Sequence, residues 1–143
     1  MNSAIAPDPL RVLVVDDEMS VLAFAERALR RGGYEVVVAS DGPEALRVVE
    51  AQRRPFDLFV VDIHMPQMRG DELGRRLRQQ APDVKVLYFT GFIDELFASR
   101  QTLWQHEAFL EKPAMVTGLL EAVSMLLFGH MNGPGAVGPS AAA

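Results

Sequence analysis

Five short apolar runs, each followed by a longer amphipathic stretch, constrain this chain more than any other feature. The runs over 11–15, 35–39, 57–61, 85–89 and 108–110 are rich in Val, Leu and Phe and lack a polar face. Strands of that kind are buried on both sides. Between them lie helical stripes. Val21, Leu22, Ala25 and Leu29 share one face, with Glu26, Arg27 and Arg30 turned away. Ala45, Leu46 and Val49 form a second stripe, opened by Asp41-Gly42-Pro43 with proline near the first turn. Leu73 and Leu77 mark a third helix, and Val116, Leu119, Leu120, Val123 and Leu127 mark the last. Ile93, Leu96 and Phe97 suggest about two further turns from Asp94, whereas 100–107 has no clean period. Strands apolar on both faces that alternate with helices imply a parallel, doubly wound α/β sheet covered on both sides.

The 143 residues suffice for one cored domain, expected over 9–128. Residues 1–8 and the Gly/Pro/Ala-rich 129–143 bury too little to order themselves and are expected to be disordered. The absence of cysteine removes disulfides and thiolate chemistry and suits a reducing cytoplasm. A net charge of −5 argues against a nucleic-acid partner, and Arg75, Arg76 and Arg78 read as a solvated helix face. Residues 1–10 do not form a signal peptide. The greasiest stretch, 119–128, is short and broken by Glu121, so no membrane partner is expected and the protein reads as soluble.

Polar residues close most of the strands. Asp16 and Asp17 follow the first, Asp62 the third, Thr90 ends the fourth, and Lys112-Pro113 follows the fifth. Open α/β sheets bind ligands beyond the carboxyl ends of strands, where strand order reverses. In the order 2-1-3-4-5 that point lies between strands one and three, so Asp16, Asp17 and Asp62 converge. Each residue also has a plain reading. Asp16 or Asp17 serves as a helix N-cap, Asp62 as the start of a turn, Thr90 as a strand residue and Lys112 as a solvated charge. Taken together, three neighbouring carboxylates must protonate in part or bind a cation. An oxygen-only donor set suits Mg²⁺ or Ca²⁺, and the lack of an EF-hand loop favours Mg²⁺.

From about Leu10 to Phe128 the sequence resembles the receiver domain of two-component response regulators. The resemblance rests on Val14-Val15-Asp16-Asp17-Glu18, on Val61-Asp62-Ile63-His64-Met65-Pro66 with Gly70, on Phe89-Thr90-Gly91, and on Phe109-Leu110-Glu111-Lys112-Pro113. It implies a flavodoxin-like fold with Asp62 as phosphoacceptor. Mg²⁺ would be held by Asp17, Asp62 and the backbone carbonyl of His64, with Asp16 acting through a water. Thr90 and Lys112 would bind phosphoryl oxygens, Thr90 and Phe109 would form the switch, and His64 and Phe92 would tune phosphoryl lifetime. The Lys112-Pro113 bond would be cis. The implied partners are a sensor histidine kinase or phosphotransfer protein, an unknown downstream protein, and a second copy in a phosphorylation-dependent dimer.

Catalysis would be confined to self-phosphorylation and autodephosphorylation at Asp62, in a stand-alone regulator or a segment of a hybrid kinase. Two features depart from the family pattern. Phe109 lacks the hydroxyl of the Tyr often found there, and Trp104-Gln105-His106-Glu107 lacks the usual small-residue turn. The alternative function is a phosphorylation-independent protein-binding module of the same fold, which usually lacks the acceptor Asp or the Lys. A haloacid dehalogenase-type phosphohydrolase needs an acid where His64 stands, and no G-x-G-x-x-G follows the first strand to bind a nicotinamide.

Overall fold

The computed structural model describes residues 8–91 and 106–129. The expected helix from Asp94, Phe92 and Trp104 lie outside the described residues, as do the expected disordered ends apart from Asp8 and Gly129.

Five strands, β1 (Arg11–Val15), β2 (Glu35–Ala39), β3 (Leu58–Val61), β4 (Val86–Thr90) and β5 (Glu107–Glu111), form one sheet in the order β2-β1-β3-β4-β5. All neighbours run parallel. Four helices connect or flank them among the described residues: α1 (Met19–Arg31), α2 (Gly42–Ala51), α3 (Gly70–Gln80) and α4 (Val116–Phe128). The expected doubly wound topology is therefore present. Three strands differ from expectation in their limits, and β4 also runs one residue further, to Thr90. Asp57 and Lys85 precede their strands, although Asp57 N–H still donates to the Arg11 carbonyl at 2.8 Å and the Lys85 carbonyl accepts from Phe59 N–H at 2.9 Å. β5 is longer than the apolar triplet at 108–110 because its hydrogen-bonded register with β4 continues through Glu107 and Glu111.

Successive strand residues alternate between two cores. Val12, Val14, Leu58, Val60, Leu87 and Phe89 pack against α1 and α4 through Leu22, Leu29, Leu119 and Val123. Leu13, Val15, Phe59, Val61, Val86 and Tyr88 pack against α2 and α3 through Ala45, Leu73 and Leu77. Burial of a strand on both faces requires apolar residues at every position, which is why the strand sequences lack a polar period.

The helix starts differ in a way that matters for the site. At α2, Asp41 accepts a hydrogen bond from Glu44 N–H at 2.8 Å as N-cap, while Glu44 accepts from the N–H of the preceding Ser40 at 2.6 Å. At α1 the N-cap is Glu18, with no side-chain cap bond. Neither Asp16 nor Asp17 is the N-cap residue, although Asp16 Oδ1 accepts from the Glu18 N–H at 2.9 Å. Among the described residues, no helix is long and apolar enough to cross a membrane.

Candidate functional site

The carboxyl edge of the sheet gathers Asp16, Asp17, Asp62, Thr90 and Lys112, although they are drawn from positions 96 residues apart at the extremes. Asp16 leaves β1 and turns inward with only 1% of its surface exposed. Its Oδ1 accepts from Glu18 N–H at 2.9 Å, and its Oδ2 accepts from Lys112 Nζ at 2.8 Å. Asp17 stays exposed at the rim. Asp62, immediately after β3, is 4% exposed; its Oδ1 accepts from Ile63 N–H at 2.9 Å, and its carboxylate also accepts from the Thr90 hydroxyl. One oxygen from each of Asp16, Asp17 and Asp62 lies within 4.8 Å of the others.

Lys112 is the cation of this cluster. Besides Asp16, its Nζ lies 3.5 Å from Asp62 Oδ1 and 3.7 Å from Glu18 Oε1. It also stands 5.8 Å from the centroid of the Phe89 ring. The Lys112-Pro113 bond is cis, as expected.

The backbone behind Asp62 is held by two glycines. Gly70 opens α3, and a Cβ there would collide with the Asp62 carbonyl oxygen. Its N–H donates to the Ile63 carbonyl at 2.9 Å, so α3 closes directly over the loop that carries Asp62. A Cβ on Gly42, the first residue of α2, would meet Met68 Sδ at 2.8 Å, so the same loop is pressed against the start of α2. The sequence pattern flags Gly70 as a motif member. The role of Gly42 carries no such flag, because its constraint comes from Met68, 26 positions away.

Burial dominates the electrostatics. It raises the Asp16 carboxyl to about 6, against the opposing pull of the Lys112 and Glu18 N–H bonds; the charge of Asp62 adds to the rise. Asp62 is raised for the same first reason, opposed by Lys112, Thr90 and Ile63 N–H and reinforced by Asp17. Burial acts on Lys112 in the opposite sense, but bonding to Asp16 and the charges of Asp16, Asp62 and Glu18 outweigh it, so its ammonium is held more firmly than usual. Both partners of the Asp16–Lys112 pair rise because the carboxylate suffers most from desolvation, whereas the lysine faces three acids. Two buried carboxylates beside a third, served by one lysine, fit a hard divalent cation with oxygen ligands.

Among the remaining predicted residues, His64 is exposed two positions beyond Asp62. Phe109 is 44% exposed, and its cross-strand neighbour is Tyr88. Glu18 was not among the predicted site residues. Its signal is that it is the third acid in Asp16-Asp17-Glu18, and its carboxylate reaches the same lysine.

Comparison with known proteins places this geometry in a family. Residues 12–124 match the model for the response regulator receiver domain. The chain is 36% identical over 116 residues to the sensor kinase CckA of Brucella abortus, covering 81% of this chain but 12% of that protein. It is 31% identical over 117 residues to the response regulator receiver protein CpdR of the same organism, covering 82% of this chain and 96% of CpdR. The chain thus spans a small part of some relatives and nearly all of others. Among solved structures, the receiver domain of the hybrid histidine kinase CckA aligns with a TM-score of 0.69 at 33% identity, over 82% of this chain and 98% of that one. The response regulator TrrA of Thermotoga maritima, solved in complex with Mg²⁺ and BeF, aligns with a TM-score of 0.72 at 30% identity, over 82% and 99%. With its parallel five-stranded sheet and its acidic edge facing a lysine, this chain belongs to the response regulator receiver domains of two-component systems.

Proposed function

We propose that the chain accepts a phosphoryl group on Asp62 from the phosphohistidine of a sensor kinase or phosphotransfer protein. The observation that carries this reading is the setting of Asp62: a nearly buried carboxylate with Lys112 Nζ at 3.5 Å, the Thr90 hydroxyl bonded to it, and two further aspartates beside it. In the transfer, an Asp62 oxygen forms a bond to phosphorus as the donor's N–P bond breaks. The bonding electron pair stays on the donor imidazole, and an acyl phosphate results.

Asp17, Asp62 and the backbone carbonyl of His64 would hold Mg²⁺, with Asp16 acting through a water. A bound Mg²⁺ supplies charge that offsets the repulsion between a carboxylate and an incoming dianion. Lys112 neutralises a phosphoryl oxygen from its place between Asp16 and Asp62. Thr90 exchanges its bond to Asp62 for one to the phosphoryl group, and Phe109 turns from its exposed position toward the space beside Thr90. Retention of both acceptor and lysine supports this reading over a phosphate-independent binding module.

Intact-mass analysis after incubation with acetyl phosphate and Mg²⁺ tests it. One added phosphoryl group is expected on the wild type and none on Asp62→Asn. Equal labelling of the two proteins removes Asp62 as acceptor.

A further inference from the structure

A second buried polar cluster lies on the α2/α3 face of the sheet, away from the acidic edge. The Glu107 side chain, at the start of β5, is fully buried. Its Oε2 accepts from the Tyr88 hydroxyl of β4 at 3.0 Å and from Arg78 Nη2 near the end of α3. Tyr88 is itself fully buried, and a Cβ on Gly74 of α3 would collide with its hydroxyl oxygen. Gly74 sits mid-helix without a positive φ, where glycine costs about 1 kcal/mol against alanine. What the glycine supplies there is a notch that receives the tyrosine hydroxyl.

Tyr88 pairs in register with Phe109, and in-register parallel neighbours project from the same face. Any inward turn of the exposed Phe109 must therefore pack beside the Tyr88 ring. The Gly74 notch seats the hydroxyl end of that ring against α3, and the bond to Glu107 ties it to the start of β5. A buried carboxylate is retained at a cost unless it is fully paired, and here its donors come from two different elements.

We propose that Tyr88, seated by Gly74 and bonded to the Arg78–Glu107 pair, is a latch that fixes the start of β5 and the position of the ring against which Phe109 turns. The latch sets how far occupation of the Asp62 site moves the switch strand. Its coupling arm rests on the phosphoacceptor reading, whereas its anchoring arm does not. Tyr88 and Gly74 are positioning residues, since neither touches the reacting atoms.

Two measurements on the full chain test this. In the first, amide hydrogen exchange is followed without phosphate analogue in the wild type and in Tyr88→Phe, which keeps the ring. Loss of one hydrogen bond to a charged group should speed β5 exchange about tenfold, with β1 amides unchanged. An equal effect on β1 and β5, or none on either, overturns the latch.

In the second, beryllofluoride with Mg²⁺ is titrated into the wild type and Gly74→Ala, with bound fluoride and the amide shifts of Phe109 and Leu110 read by NMR. Gly74→Ala should bind the analogue yet show less than half the wild-type β5 shift, because the displaced ring crowds the sheet face it shares with Phe109. Normal binding with a full shift overturns the coupling. A wild type that takes up no beryllofluoride sinks the phosphoacceptor reading, and the exchange arm then decides the latch alone. If Gly74→Ala does not fold, Tyr88→Phe serves in the titration, with a reduced shift expected and a full shift against the coupling.

Discussion

Replacing Asp16 by asparagine should make the metal-free protein more stable at neutral pH. Asp16 is 1% exposed, and burial lifts its carboxyl from an ordinary 3.8 to about 6 despite the bond to Lys112. A raised folded-state value means that the native protein holds this proton more tightly than the unfolded chain. The stabilisation is thus complete below the unfolded value near 3.8 and is lost as pH rises towards 6. A shift of this size corresponds to about 3 kcal/mol at 1.36 kcal/mol per unit. Asp62 is raised in the same sense, so it steepens the fall in both proteins, less in the variant, where the charge of Asp16 is gone. Asparagine is neutral throughout and escapes the Asp16 share. Urea unfolding in chelator, at pH 4 and pH 7, measures the gap between wild type and Asp16→Asn. It should move by about 2 kcal/mol in favour of the variant over that interval, since at pH 4 the unfolded chain already holds part of the proton. Added Mg²⁺ should then favour the wild type more than the variant, since a ligand of the native state stabilises by mass action. A gap that does not change with pH, or a variant that is less stable at pH 7, would refute the argument that burial outweighs Lys112.

Three further outcomes follow from the geometry. In calorimetric titration with Mg²⁺, Asp17→Ala should abolish binding and Asp16→Ala should only weaken it; unchanged affinity for Asp17→Ala would exclude the proposed ligand set. Gly70→Ala forces a methyl group onto the Asp62 carbonyl oxygen and should cost about 3 kcal/mol or more in urea unfolding, while an ordinary loss of a few tenths would show that α3 simply shifts. Arg11→Met removes a 4%-exposed guanidinium that donates to Glu35 at 2.9 Å and to the Arg54 carbonyl at 2.6 Å and stacks 4.4 Å from the Phe56 ring centre. A loss of about 2–3 kcal/mol is expected in thermal or urea unfolding, and a neutral result would mean that the network is replaceable by packing.

Much of the site was legible in the chain because its chemistry sits at strand ends. A strand is mostly apolar while it lies inside the sheet, so the first polar residue after it marks the edge; Asp16 and Asp62 announce themselves this way, whereas Lys112 comes one position after the polar Glu111 that ends β5. Strand limits were less legible. Asp57 is polar yet bonds to Arg11 just outside β3, and Glu107 is polar yet begins β5 because its carboxylate is paired by Arg78 and Tyr88. Local pattern carries no record of a partner 19 or 29 positions away.

Periodicity and near neighbours in the chain are enough for the alternation of strands and helices, the parallel two-faced sheet and the residues of the acidic edge. That Glu18 rather than Asp16 or Asp17 is the N-cap of α1, and that Lys112 lies closer to Asp16 than to Asp62, came from the folded chain alone. It alone showed that Gly70 and Gly74 are small for two different reasons, one facing a carbonyl and the other a tyrosine hydroxyl. Those choices are settled by which atoms meet across the fold and by how much water each carboxylate loses on the way. Neither quantity exists until the sheet has closed.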